Sequence, residues 1–118
     1  MIQSYRDLRV YQQSYKLGLK VHQLTLTFPD FEKYELASQI RRAAISIPVN
    51  IAEGYGKKSS LADFKRFLLM AQGSKDEIKV LLEMSKDLEY ITETDYQELH
   101  QQYDEMGKQL YAMIQKWA

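Results

Sequence analysis

Residues 94–118 read TDYQELHQQYDEMGKQLYAMIQKWA, and within them Tyr96, Leu99, Tyr103, Met106, Leu110, Met113 and Trp117 recur at spacings of 3,4,3,4,3,4. That alternation puts one continuous apolar seam on an α-helix. A seam so narrow packs against neighbouring helices at a shallow angle. Thr92 or Thr94 supplies the cap, since either hydroxyl can accept from an unpaired N–H of the first turn.

Three more helical patterns lie N-terminal to this one. The longest runs Leu61, Phe64, Leu68, Ala71, Ser74, Ile78, Leu81, Ser85 and Leu88, behind Ser59 or Ser60 as cap and with Asp63 three residues after Ser60. Gly73 interrupts it at a cost of about 1 kcal/mol relative to Ala, and leaves room for a close helix crossing. Before it, Leu36, Ile40, Ala43, Ile47, Ile51 and Tyr55 form a pattern that Gly54-Tyr55-Gly56 is expected to stop. Pro48 lies inside that pattern. It brings no N–H and crowds the carbonyl of Ala44, at about 3 kcal/mol, so one kinked helix is expected here rather than two. The first pattern, Val10, Ser14, Leu17, Val21, Leu24 and Phe28, ends at Pro29-Asp30. The linkers are short and no period-two stretch competes. The expected fold is all-α: an antiparallel, up-down-up-down four-helix bundle, helix 2 kinked at Pro48, one domain over residues 1–118.

Composition narrows the function classes. The 118 residues carry 16 basic and 16 acidic side chains, which disfavours a strongly basic nucleic-acid binder while allowing a local patch. Residues 1–58 hold a net +4 and residues 59–118 a net −4. No cysteine is present, which excludes disulfide frameworks, thiolate metal sites and Cys nucleophiles. The opening Met1–Asp7 lacks the ~7–15 apolar residues of a secretory segment. The longest uncharged stretch, Ala43–Ala52, is far short of the ~20 apolar residues that cross a bilayer. A cytoplasmic protein without a membrane partner is expected.

The chemistry-bearing motifs are missing. A Glu-x-x-His pair would place carboxylate and imidazole on one helix face, yet Leu19 and Gln97 stand three residues before His22 and His100. Gly54-x-Gly56 follows a helix rather than a strand, so it does not cradle phosphate. Asp76-Glu77 and Asp104-Glu105 are neighbours in sequence and diverge by ~100° on a helix. The expectation is no enzyme, no catalytic residue, no metal and no cofactor.

Apolar surface is in excess. Beside the first seam lie Leu8, Tyr11, Tyr15 and Leu19, and beside the third Phe67, Leu69 and Leu82; the chain has 9 Tyr. Wide arcs can reflect a broad core, but Tyr-rich second seams point to self-association. The stripe Arg42, Ser46, Asn50, Glu53 and Lys57 down helix 2 faces either solvent or a neighbouring subunit. The candidate oligomer interface is therefore Leu8, Tyr11, Tyr15, Ser46, Asn50 and Glu53. The basic residues Arg41, Arg42, Lys57, Lys58, Lys65 and Arg66 are the candidate contacts to RNA or DNA, set against a solvated face with local ion pairs such as Lys65 to Asp63.

The run from Ser38 to Gly56, SQIRRAAISIPVNIAEGYG, resembles the signature of the bacterial four-helix-bundle family encoded by 23S ribosomal RNA intervening sequences. Tyr5-Arg6-Asp7-Leu8-Arg9-Val10-Tyr11, Phe28-Pro29, Phe64-Lys65-Arg66-Phe67-Leu68 and Ala71-Gln72-Gly73-Ser74 resemble its other elements, so the likeness spans nearly the whole chain. Tyr11 stands where the family often has Trp, and Gln72 where it often has Arg, which removes a positive charge. The resemblance implies a left-handed bundle, a homopentameric ring and no established enzymatic activity. A similar fold serves reverse transcriptases of diversity-generating retroelements as a basic accessory subunit. That likeness implies, as the alternative, an adaptor holding a partner protein without a nucleic-acid role.

Overall fold

The computed structural model describes residues 1–116. Four α-helices carry the fold: α1 Arg9–Thr25, α2 Leu36–Gly56, α3 Leu61–Asp87 and α4 Glu93–Lys116, with single 3-10 turns at Tyr5–Asp7 and Asp30–Glu32. Among the described residues there is no strand. α1 packs on α2, α2 on α3, α3 on α4 and α4 back on α1, and among the described residues the backbones make no close approach across either diagonal. The helices thus occupy four corners in chain order, in a rod of 44 × 24 × 21 Å.

Local chemistry sets the helix ends. Ser60 caps α3, its Oγ accepting from the Asp63 N–H at 3.2 Å. Thr92 caps α4, its Oγ1 accepting from the Asp95 N–H at 3.0 Å. α3 closes through Glu89, the one described non-glycine residue with positive φ, at 64°. This left-handed residue lets the Tyr90 N–H reach the Ser85 carbonyl and the Glu89 N–H reach that of Lys86, both at 2.9 Å. Arg41 ties the α1–α2 connection, donating to Thr25 Oγ1 at 3.2 Å and to the Lys33 carbonyl at 3.1 Å.

The seams read from the sequence form one core. Val21, Ile40, Ile47, Ile51, Leu68, Ile78, Tyr103, Met106 and Leu110 are fully buried. On α4, Met113 is half-buried and Ile114 takes the core position; Trp117 lies outside the described residues. α2 runs unbroken through Pro48.

α2 ends at Gly56, within the Gly54-Tyr55-Gly56 stop read from the sequence, and Gly54 has a further role: it is buried in the last turns of the helix, and a Cβ there would stand 2.9 Å from Phe67 Cβ. It is the close-crossing glycine of the α2–α3 pair, and the helix continues to Gly56. Gly73, expected at such a crossing, is exposed with nothing within 4 Å of a Cβ position. The ends of the α3 seam also differ: Leu61 and Leu88 are about half exposed, while Phe67 and Leu82 are buried.

Candidate assembly face and basic end

An apolar groove of about 550 Å³ runs between α1 and α2. Its walls are Tyr11, Tyr15 and Leu19 from α1 and Ile45, Pro48 and Val49 from α2, with Glu53 at one end. Tyr15, Leu19, Ile45 and Val49 are 45–57% exposed, a large apolar area for one surface. The floor follows from Pro48 and Gly18. Pro48 offers no N–H to the Ala44 carbonyl, and a Cβ at Gly18 would lie 3.6 Å from that same oxygen, so α1 approaches α2 closely here.

The structure brings the six candidate interface residues only partly together. Tyr11, Tyr15 and Glu53 line the groove, with the Tyr11 and Tyr15 rings 5.9 Å apart. Leu8 is half-buried at the start of α1. Ser46 turns toward α3 instead, and Asn50 bonds back along its own helix. The Ser46 hydroxyl meets that of Ser74, and Asn50 Nδ2 donates to the Ser46 carbonyl at 2.8 Å. Ile45 and Val49 escaped the sequence reading. Their signal was an apolar pair four residues apart, off the Ile40–Ile47–Ile51 seam.

The basic residues divide into two groups. Lys57 Nζ lies 5.8 Å and the Arg66 guanidinium 4.7 Å from the centroid of the Phe67 ring, and Lys58 Nζ lies 3.7 Å from that of Tyr55. Phe67 is itself held against Gly54, so the close α2–α3 crossing positions these cations. Lys65 is half-buried nearby on α3. The ion pair here joins Asp63 to Arg66 at 3.8 Å rather than to Lys65. Arg41 sits near the opposite end, occupied by Thr25 and Lys33, and Arg42 lines a polar groove with Glu35 and Glu77.

Among the described residues, no three His, Asp or Glu side chains converge as a metal site. No described helix is long and apolar enough to cross a membrane. The perturbed ionisable groups are structural. The backbone N–H groups of Gln3 and Ser4 hold the Asp7 carboxyl below its ordinary value. The Lys79 ammonium does the same to Asp104. A hydrogen bond to Glu32 raises Tyr90, and burial raises Tyr103.

No curated protein matches the chain. Among solved structures, it is similar to a protein of unknown function from the S23 ribosomal protein family of Bacteroides thetaiotaomicron VPI-5482. The two share 28% identity over 90% of this chain and 95% of that one, with a TM-score of 0.82. Residues 6–112 match the family described as 23S rRNA-intervening sequence protein. With that match over most of its length, on a four-helix fold shared with the Bacteroides protein, the chain belongs to the 23S rRNA-intervening sequence protein family.

Proposed function

We propose that this protein is a non-catalytic, homo-oligomeric helical scaffold that holds RNA or DNA weakly at its basic end. The α1–α2 groove carries the reading. A lone copy leaves Tyr15, Leu19, Ile45 and Val49 half in water, and covering them yields about 25 cal/mol per Å² of apolar area. Five copies is the number the family resemblance implies. Ile45→Glu places a charge in the groove and is expected to dissociate the assembly in sedimentation velocity, whereas Gln101→Glu on the polar outer face of α4 leaves it intact. An unchanged Ile45→Glu sedimentation coefficient contradicts the groove's role.

The nucleic-acid part rests on Lys57, Lys58 and Arg66 gathered around two aromatic rings. Binding of labelled RNA or DNA is expected to be weak and to fall steeply between 50 and 200 mM salt, by about tenfold or more. A triple reversal of these residues to Glu abolishes it on this account. The absence of any salt-dependent signal with the intact oligomer removes this part. The zero net charge favours a second reading, an adaptor for a protein partner. A defined partner that stays bound after nuclease treatment, together with no nucleic-acid signal, supports that reading instead.

A further inference from the structure

A second apolar row stays uncovered on this subunit, on the α2–α3 face. Val80, Met84 and Leu88 of α3 are each about half exposed. With the start of α2 they form a groove of about 640 Å³, which Glu32, Glu35 and Glu77 border and no Lys or Arg lines. Glu32 is engaged, its carboxylate accepting from the Tyr90 hydroxyl at 2.8 Å and from the Leu36 N–H at 3.4 Å. The Glu35 and Glu77 carboxylates have no hydrogen bond or ion pair among the described residues. The cations of α3 are turned elsewhere: Lys79 pairs with Asp104 of α4, and Lys86 with Asp87. Arg42 lines the adjoining polar groove and pairs with neither glutamate.

This combination selects an occupant. An extended segment would lay its own N–H and C=O groups on an apolar floor that offers them no partner, whereas a helix satisfies its backbone internally. Glu77 to Leu88 spans about three helical turns, about 16 Å of facing surface. A methionine in the floor adapts to different apolar anchors, and two unpaired carboxylates at the border call for Lys or Arg beside those anchors. α1 of another copy does not supply this pattern. It has no acidic residue, but its Lys16 and Lys20 line the α1–α4 side, Lys20 Nζ donating to Gln102 Oε1 at 3.3 Å, and the apolar face it shares with α2 ends at Glu53.

We propose that the α2–α3 groove docks a basic amphipathic helix of a partner protein, about three turns long. Its apolar row rests on Val80, Met84 and Leu88, and its Lys or Arg flanks meet Glu35 and Glu77. This deepens the adaptor reading above by stating what the partner presents. It uses a face separate from the α1–α2 groove and from the basic end.

The probe is a fluorescent peptide of about 18 Leu and Lys residues, its Leu spaced three and four apart, with a second peptide of the same composition in scrambled order. Fluorescence anisotropy with the full-length protein is expected to show the amphipathic helix binding about tenfold tighter than the scrambled one. Glu35→Gln combined with Glu77→Gln is expected to weaken that binding about tenfold, and so is Val80→Ser combined with Met84→Gln. Glu98→Gln combined with Glu105→Gln removes the same charge from the exposed outer face of α4 and is expected to change it by less than about twofold. All these sites are exposed, and circular dichroism checks that each variant stays helical. Light scattering of the Val80→Ser, Met84→Gln protein is expected to give the wild-type mass. No binding, equal binding of the scrambled peptide, or an equal loss from the α4 pair overturns the proposal. A changed mass in the Val80→Ser, Met84→Gln protein makes the groove a contact between copies and overturns it as well. In each of these cases the adaptor reading still stands or falls on its nuclease-resistant partner.

Discussion

At the scale of single residues, three side-chain environments govern stability. A methyl at Gly54 meets Phe67 Cβ at 2.9 Å and Phe64 Cδ1 at 3.2 Å, so Gly54→Ala forces α2 and α3 apart at a cost of about 1–3 kcal/mol. Gly73→Ala meets nothing and gains helix propensity, about 0.5–1 kcal/mol. Urea denaturation of the two variants is expected to move in opposite directions. Tyr103 is the third case. It is fully buried, its hydroxyl finds no partner among the described residues, and burial raises its pKa. Tyr103→Phe removes that hydroxyl and keeps the ring, so a gain of about 1 kcal/mol is expected in the same denaturation series. None of these distinctions was legible in the sequence. Gly54 and Gly73 are the same letter in similar helical patterns, and only the neighbour across the crossing separates them. Glu89 in a left-handed conformation carried no sequence signal at all, since Gly or Asn usually fills that position.

At the scale of elements, legibility was high where periodicity was strict and lower at the ends. The four helices, Ser60 and Thr92 as caps and the continuous α2 through Pro48 follow from spacing and cap chemistry. The outer rows were harder. Ile45, Val49, Val80 and Met84 are apolar residues on helices that already have a complete seam, and sequence alone does not say which row faces in. The 3-10 turn at Tyr5–Asp7 adds a titratable element. Asp7 Oδ2 accepts from the Gln3 N–H at 2.8 Å and the Ser4 N–H at 3.1 Å, and Ser4 Oγ accepts from the Arg6 N–H at 3.1 Å. These bonds favour the ionised carboxylate, so its folded pKa lies below the ordinary aspartate value. Its contribution is complete above the unfolded pKa of about 4 and is lost as pH falls through the lower folded value. The Gln3 and Ser4 amide resonances are expected to titrate together with a midpoint below that of a free aspartate. Asp7→Asn abolishes that transition.

At the scale of the whole molecule, the up-down order sorts charge as well as apolar surface. The starts of α1 and α3 and the end of α2 meet at one end, bringing Arg9, Lys57, Lys58 and Arg66 there; Glu32, Glu35, Glu89 and Glu93 gather at the other. Charge thus separates in part into a basic end and an acidic end of a neutral rod, each end drawing on both halves of the sequence. The acidic end is knitted by Tyr90, whose hydroxyl donates to Glu32 at 2.8 Å while its ring lies 5.2 Å from that of Phe28. Family and bundle were legible from the Ser38–Gly56 run and the α4 seam. The apolar α1–α2 groove was only half legible, because Ser46 meets Ser74 of α3 within the subunit while Ile45 and Val49, off the α2 seam, complete the groove wall.

The central claim, that identical copies cover each other's apolar faces, is tested most directly by the mass of the wild-type protein across a dilution series. Multi-angle light scattering is expected to give a discrete multiple of the 13.9 kDa chain, near five copies, that persists at micromolar concentration. A stable, helical species of 13.9 kDa at every concentration contradicts it.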